Sequence, residues 1–246
     1  MRTLIFTKRC MREMLRDPLT LIFGAGFPVI LLLLLSIMNL NIPSEAQMPL
    51  FAIESLLPGA VVFGFSFLAL FGGLLLSSDR ETAFLTRLYT SPLRAHSFVL
   101  GYAIPLIPLG GAQAFICLVV ALFFGLDVSV HLLTMLLFFI PSIALYIGFG
   151  LLFGSLMNTK QVGSICGALL TNVGAWLSGT WFSLELLGEG FDTFAHILPF
   201  ANAVDAARAA LAGDLSAAWQ PALIVCAYAI AVCTAAVLVF RRKMRG

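Results

Sequence analysis

Residues 54–97 read ESLLPGAVVFGFSFLALFGGLLLSSDRETAFLTRLYTSPLRAHS, and this stretch decides the fold. After Glu54 the part up to residue 78 carries no charge, and it is long enough for a helix to cross the hydrocarbon core, which takes about 20 apolar residues. Three arginines follow, at positions 80, 87 and 94. Lys and Arg next to a membrane span are retained on the cytoplasmic side. The stretch therefore predicts a span that ends in the cytoplasm near residue 79.

The same alternation of apolar and basic segments runs along the whole chain. Of the 14 Lys and Arg residues, all but Arg208 lie in every second connection between apolar runs. Most of the 12 acidic residues lie in the other connections. This distribution predicts an even number of spans with both termini in the cytoplasm.

Composition places nearly the whole length in a membrane. The chain is 61% hydrophobic and 11% charged, with a mean hydropathy of +1.03, whereas soluble domains average about half apolar and about a quarter charged. We therefore expect an all-α, multi-pass protein of the plasma or inner membrane, with residues 1–246 forming one transmembrane domain. The predicted spans lie near 19–40, 54–78, 97–125, 130–157, 161–182 and 217–240. A net charge of +2 gives no indication of a nucleic-acid partner.

Residues 2–18 are predicted to form a helix that lies on the membrane surface. At 100° per residue the helix has a basic face and an apolar face, with Ile5 as the exception. The basic face holds Lys8, Arg9, Arg12 and Arg16, and the apolar face holds Leu4, Phe6, Met11, Met14 and Leu15. Such segregation is typical of a helix among lipid headgroups. The alternative is a frayed basic tail.

Residues 184–216 form a long and unusually apolar connection before the last span. We expect one or two short helices here that re-enter the outer leaflet, broken at Pro199. Asp205 and Arg208 lie three positions apart, on one face of the second of these helices.

Residues that carry enzymatic chemistry are missing from the pattern. The three histidines, at 96, 131 and 196, lie in different connections, so neither a metal site nor a catalytic residue is expected. No lysine follows a glycine, which excludes a phosphate loop of the form GxxxxGK. The five cysteines are expected to be buried thiols. Few ionisable residues occur within the spans, which disfavours an ion-coupled carrier.

The connection at 79–97 has charged and apolar residues at helical spacing and predicts a short helix lying under the membrane, which ends near Ser91-Pro92. Its pattern of Asp79-Arg80-Glu81, two spaced leucines and Ser91-Pro92-Leu93-Arg94 resembles the permeases of ABC-2 type export systems. The opening Leu15-Arg16-Asp17-Pro18-Leu19, with Phe27-Pro28 in the span, is similar to the start of that family. Leu198-Pro199-Phe200 with its following helix is similar as well, so the resemblance covers essentially the whole chain.

The resemblance implies a dimer of permeases, from two copies of one chain or from two different chains, with a separate ATPase. ATP and Mg²⁺ would be bound by the ATPase subunit, no cofactor would be bound by this chain, and membrane lipid would surround the spans. The 79–97 segment would be the coupling helix that contacts the ATPase, with the N-terminal helix as a second contact. The implied coupling residues are Glu81, Arg87, Leu88, Ser91, Pro92, Leu93 and Arg94. Where many members have Gly shortly after the Glu, this chain has Thr82-Ala83-Phe84.

The family also implies a substrate path along the second and fifth spans at the dimer interface. The candidate residues are Phe63, Phe67, Phe71, Thr171, Asn172 and Trp176. The same side chains also fit a purely structural role, because a phenylalanine stripe is typical of helix packing and a buried Asn often binds a neighbouring helix.

The predicted function is that of a permease subunit that exports an amphipathic or hydrophobic small molecule, such as a drug, an antibiotic or a lipid-like compound. Export of a polysaccharide or glycolipid is the alternative with the same architecture. An ion-coupled carrier and a non-transport membrane protein are the alternatives from other classes.

Overall fold

The computed structural model describes residues 2–43, 48–82 and 95–243, and within these ranges the chain is helical and contains no strand. The all-α prediction is confirmed. Its main helices in chain order are α1 (Arg2–Arg16), α2 (Pro18–Asn41), α3 (Ile53–Glu81), α4 (Ala95–Phe123), α5 (His131–Leu156), α6 (159–177), α7 (Glu189–Ile197), α8 (Pro199–Leu211) and α9 (Leu215–Lys243). Helix α6 joins Thr159–Ser164, a π-helical stretch Ile165–Leu170 and Thr171–Leu177, and short 3₁₀ turns lie at Pro49–Phe51 and Leu184–Leu187.

Five helices in the described part of the chain are long and apolar enough to cross a membrane, namely α2, α3, α4 from Ser97, α5 and α9. A multi-pass membrane protein is therefore supported. Helix α6 lies where the span 161–182 was expected, but its first turn carries Lys160 and Gln161 and it is not among the five. The count of six spans stays a prediction.

The break between α1 and α2 occurs at Asp17-Pro18. The Asp17 carboxylate accepts hydrogen bonds from the Leu19 amide at 3.1 Å and from the Thr20 hydroxyl at 2.6 Å. Pro18 takes the first helical position, where its missing amide N–H costs nothing. The side chain of Asp17 thus caps α2 as the chain turns into it.

Helix α3 lies at the centre of the bundle: 72% of its most apolar window is buried inside the molecule, against 22% for α2 and α9. It packs mainly on α5. A Cβ atom on Gly150 would lie 2.3 Å from the Ala69 carbonyl oxygen, and one on Gly154 would lie 2.7 Å from that of Gly73. The two backbones therefore approach closely, and since residues 69 and 73 meet 150 and 154 in order, α3 and α5 run parallel.

Two short helices fill the connection before α9. The break between α7 and α8 falls at Leu198, whose extended backbone precedes Pro199. Helix α8 is mostly buried and packs on α9 and α5. Its small face explains this close packing, because Ala201, Ala203, Ala206, Ala207 and Ala210 are all buried. Re-entry into a leaflet stays a prediction.

Candidate functional site

The last three residues of α3 each bind a different neighbouring element. Asp79 binds α1 and α4, Arg80 binds the end of α5, and Glu81 binds the start of α6. We call Asp79-Arg80-Glu81 the α3 junction. It directly precedes the segment in which the coupling helix is predicted.

Asp79 is a buried carboxylate with 5% of its surface exposed. Both terminal nitrogens of Arg9 donate to it, Nη2 to Oδ1 at 2.8 Å and Nη1 to Oδ2, and the Tyr102 hydroxyl donates to Oδ2 at 2.7 Å. A buried charge is tolerated only when it is paired and hydrogen-bonded. The hydrogen bond to Asp79 raises the pKa of the Arg9 guanidinium, outweighing the opposite effect of burial. Arg9 therefore stays charged, and the contact ties α1 to α3 and α4.

Apolar contacts hold α1 in the same position. The Phe6 ring packs edge-on against Tyr102, with ring centroids 4.9 Å apart, and against Phe98 at 5.8 Å. The backbone of α4 is open at Gly101 to receive it, since a Cβ there would lie 2.2 Å from Phe6 Cδ1. Cys10 is fully buried beside this contact, and burial raises the pKa of its thiol to about 12. The thiol is therefore neutral at physiological pH.

The buried face of α1 differs from the apolar face expected from the sequence. Phe6, Cys10 and Met14 pack on the bundle, whereas Leu4 and Leu15 are 73% and 56% exposed. Of the predicted basic face, Lys8, Arg12 and Arg16 are exposed, but Arg9 points to Asp79 and also pairs with Glu13 at 2.8 Å. Helix α1 thus packs one apolar side against the bundle and leaves a second apolar side exposed.

Arg80 binds the end of α5, and Glu81 binds the start of α6. Arg80 Nη1 donates to the carbonyl oxygens of Gly154 at 2.7 Å and Met157 at 3.2 Å, which the end of α5 leaves without intrahelical donors. The Glu81 carboxylate accepts from the Thr159 amide at 2.7 Å and the Thr159 hydroxyl at 2.9 Å. A carboxylate at the first turn of α6 is favoured by the helix dipole. Two successive side chains of α3 therefore fix where α5 ends and α6 begins.

The other predicted coupling residues lie outside the described residues. These are Arg87, Leu88, Ser91, Pro92, Leu93 and Arg94. The described chain resumes at Ala95, where α4 begins.

The three candidate phenylalanines on α3 lie in a row of aromatic rings. Phe63 and Phe67 contact Phe27 of α2 with centroids 6.2 and 5.4 Å apart, and Phe67 stacks on Phe71 at 6.4 Å. Phe67 and Phe71 are each 9% exposed. The three rings therefore form one continuous row, in which they pack on one another and on α2.

The candidate residues on α6 point in two directions. The Thr171 side chain is buried, and its hydroxyl donates to the Cys166 carbonyl at 2.9 Å. Asn172 and Trp176 lie on the exposed face, and the Asn172 amide donates to the Ala168 carbonyl of its own helix at 2.7 Å. Asn172 thus makes this bond within α6 and not to a neighbouring helix.

At the opposite end of α3, Arg208 of α8 binds two backbone carbonyls. Its Nε donates to Ser55 and its Nη2 to Gly179, both at 3.1 Å. Burial lowers the pKa of Arg208 from its ordinary value. Asp205 does not pair with Arg208 but lies 3.0 Å from His196 Nε2. These groups border a polar cavity of about 220 Å³.

The two ends of the bundle are thus distinguished by their side chains. We call the end with Arg9, the α3 junction, Thr159 and Lys243 the basic end, and the end with Ser55, Gly179, His196, Asp205 and Arg208 the acidic end. Lys243 belongs to the basic end because its Nζ donates to the Leu156 carbonyl. Within the described ranges, no three His, Cys, Asp or Glu side chains group in a way that could hold a metal ion.

Sequence reasoning missed the role of Asp79. The sequence places Asp79 at the end of an apolar span, but it does not show that this carboxylate is buried and therefore needs a cation. Its partner could not be identified, since Arg9 is 70 positions away and four other basic residues precede the first span.

Comparison with known proteins gives one match to a protein family. The model of the ABC-2 type transporter family matches residues 1–212, which include α1, the α3 junction and α8. No curated protein matches the chain. Since the match covers most of its length, the chain belongs to the ABC-2 type transporter family.

Proposed function

We propose that this chain is the permease subunit of an ATP-driven exporter and works with a separate ATPase that binds ATP and Mg²⁺. The observation that carries the proposal is the α3 junction, where three successive residues bind α1, α4, α5 and α6. A force applied to the segment that follows Glu81 would act on all four helices at once. This is the arrangement that a permease driven from one side of the membrane requires.

The proposal includes six spans, with α6 as the fifth. Helix α6 begins at Thr159, which binds Glu81 at the last residue of α3. Just beyond the end of α6, the Gly179 carbonyl accepts a hydrogen bond from Arg208. The same arginine donates to the Ser55 carbonyl near the first residue of α3. A helix of this length measures about 28 Å, close to the thickness of the hydrocarbon core. These contacts support a helix that runs from one end of the bundle to the other.

The basic end is proposed to face the cytoplasm. Helix α1 and the end of α9 both lie there, and among the described residues it carries every Lys and Arg except Arg208. The positive-inside rule then gives both termini a cytoplasmic location.

A second permease copy is proposed to cover the exposed face of α6. Leu169, Asn172, Val173 and Trp176 recur at helical spacing on this face, and all are exposed in the single chain. An amide at bilayer depth is expensive in lipid, so contact with protein is favoured. The cargo is proposed to be an amphipathic or hydrophobic small molecule, because aromatic and charge-poor helices line this side. A polysaccharide or glycolipid is the alternative cargo.

The test of the proposal is co-purification followed by reconstitution. The tagged chain, isolated in mild detergent from its host, is expected to bring down a stoichiometric ATPase that stays active. In vesicles, Glu81→Gln should lower transport per ATP hydrolysed about fivefold or more, because it removes one of two acceptors that hold α6. The matched control is Glu185→Gln, an exposed acid at the acidic end, which should leave the ratio unchanged.

Two results would overturn the proposal. A chain that purifies without an ATPase, in a detergent shown to preserve known membrane complexes, would exclude the exporter. Equal coupling in Glu81→Gln and Glu185→Gln would remove the α3 junction from the mechanism.

A further inference from the structure

Helices α1, α2 and α4 border a partly open apolar cavity of about 260 Å³. Its lining includes side chains from all three helices: Met11, Met14 and Leu15 of α1, Leu21 of α2, and Pro108 and Ala112 of α4. The lining contains one hydroxyl group, that of Thr20, and it already donates a hydrogen bond to the Asp17 carboxylate. The volume lies just below the range of about 300–1,000 Å³ for pockets that take drug-sized ligands. The cavity therefore suits a slender hydrocarbon segment.

Unpaired positive charge borders the cavity. Arg12 and Arg16 are exposed, lie one helical turn apart and line a groove of about 480 Å³ along α1. The other charged groups of this groove are already bound: Arg9 to Asp79 and Glu13, and Asp17 to the start of α2. Among the described residues neither Arg12 nor Arg16 forms an ion pair.

The two arginines and the apolar side chains that line the cavity lie next to each other on α1. Arg12 follows Met11 and Arg16 follows Leu15, so each guanidinium is attached about 100° around α1 from a cavity-lining side chain. Leu15 is also 56% exposed, so the part of the lining that α1 contributes continues onto the exposed apolar side of that helix. This order, from hydrocarbon to cation across one helix, is that of the membrane interface.

We propose that the cavity holds an acyl chain of a resident phospholipid with an anionic headgroup, and that Arg12 and Arg16 bind its phosphate. Guanidinium groups match phosphate oxygens in bidentate geometry, and two of them without acidic partners favour a headgroup that brings net negative charge. Helix α1 covers the cavity and is fastened by the buried Asp79 contact. The lipid is therefore a fixed component that joins α1, α2 and α4, and not the transported molecule. The site does not depend on the ATPase or on the cargo.

The experiment uses the purified full chain in nanodiscs that contain phosphatidylcholine and phosphatidylglycerol in equal amounts. After transfer to mild detergent, retained lipids are counted by native mass spectrometry. The wild-type chain is expected to keep one phosphatidylglycerol in preference to phosphatidylcholine. Arg12→Gln/Arg16→Gln should lower that preference about thirtyfold, given the contribution of each of the two basic residues near anionic lipid, while still retaining a lipid. Ala112→Phe, which fills the cavity, should lose the lipid itself.

Each variant has a matched control. Arg241→Gln/Arg242→Gln removes the same charge from exposed positions on α9, and Ala231→Phe adds the same ring to an exposed position of α9. Both should retain lipid as the wild type does. The arginine variant changes exposed residues only, so it tests the proposal even if Ala112→Phe fails to fold.

Three results would overturn the proposal. The first is equal retention of the two lipids by the wild-type chain. The second is an unchanged preference in Arg12→Gln/Arg16→Gln, or an equal loss in its control. The third is displacement of the bound species by millimolar inorganic phosphate, which would show that the arginines bind free anions.

Discussion

The two ends of α3 are held in different ways. At the basic end, side chains of α3 itself reach outward, and the buried Asp79 carboxylate is bound by side chains from two other helices. At the acidic end, the contact to Arg208 is made by the Ser55 backbone carbonyl of α3, and the side chain that binds it comes from α8. The His196–Asp205 contact there is much more open, with side-chain exposures of 40% and 37%. The basic end therefore depends on charges carried by α3, whereas the acidic end depends on α8.

This difference has a mechanical consequence. A displacement of α3 at the basic end must move α1, α5 and α6 or break charge-assisted hydrogen bonds, of which those of Arg9 and Arg80 are partly buried and that of Thr159 to Glu81 is exposed. At the acidic end the same displacement strains hydrogen bonds to backbone carbonyls, which water can replace where the site is open. On the proposed function, input from the ATPase would be passed on near the α3 junction, and the acidic end would adjust.

Asp79→Asn should give the largest loss of stability. It leaves the half-buried Arg9 guanidinium paired with the more exposed Glu13 in place of the buried Asp79 carboxylate, which costs about 3 kcal/mol at most, since a third of Arg9 is exposed. We expect faster hydrogen exchange throughout α1 and a lower melting temperature in the same detergent. Asp192→Asn is the control at the acidic end and should change both only slightly.

A double substitution sharpens this result. Arg9→Gln/Asp79→Asn should cost less than the sum of its two single substitutions, because both remove the same contact. Strict additivity would mean that the two residues do not act as a pair.

Gly150→Ala tests the close contact between the backbones of α3 and α5, which lies between the two ends of the bundle. The new methyl group would lie 2.3 Å from the Ala69 carbonyl oxygen and 2.8 Å from Ala69 Cα, so the backbones of α3 and α5 must separate. Overpacking of this kind costs about 1–3 kcal/mol. Thermal unfolding in detergent should detect it. Gly111→Ala on α4 meets nothing within 4 Å and should be neutral or slightly stabilising.

Arg208→Gln should have a smaller effect than Asp79→Asn. It removes two hydrogen bonds from a charged donor, but neither acceptor is a charge, and the loss should be about 1.5 kcal/mol. Faster proteolysis near residues 178–188 would accompany it. Arg208→Lys should recover less than half, because one ammonium group does not reach both carbonyls in the same way. A loss equal to that of Asp79→Asn would remove the distinction between the ends.

The sequence predicted the helical class well, because charge alternation and hydropathy are properties of single segments. Two pairs of glycines four positions apart have the spacing that lets helices approach closely, Gly150 with Gly154 and Gly163 with Gly167. The first pair meets the backbone of α3, whereas nothing lies within 4 Å of a Cβ on Gly163 and a Cβ on Gly167 would come no nearer than 3.5 Å to the Leu70 side chain. Spacing alone does not say which face of a helix meets a neighbour.

The details of the site were less accessible for the same reason. Hydropathy does not separate side chains that face protein from those that face lipid, so the buried side of α1 was assigned only in part. The Glu81–Thr159 contact spans 78 positions, and the Arg9–Asp79 contact spans 70. Pairings at this distance depend on how whole helices pack, which no local pattern encodes.

The smallest predicted effect is a pH dependence confined to the acidic end. Burial lowers the pKa of His196, but its hydrogen bond to the Asp192 carbonyl and the charges of Asp205 and Asp192 outweigh this and raise it. The stabilisation is therefore complete below the unfolded value of about 6.5 and is lost as pH rises through the folded pKa, provided that the carboxylates stay ionised. Because the pair is exposed, it should amount to well under about 1 kcal/mol. Hydrogen exchange in α7, corrected for its intrinsic pH dependence, should be slower at pH 6 than at pH 8, and His196→Gln should abolish the difference. An equal change in α1, where Arg9 stays charged throughout, would show that the effect is not local and that both ends respond as one.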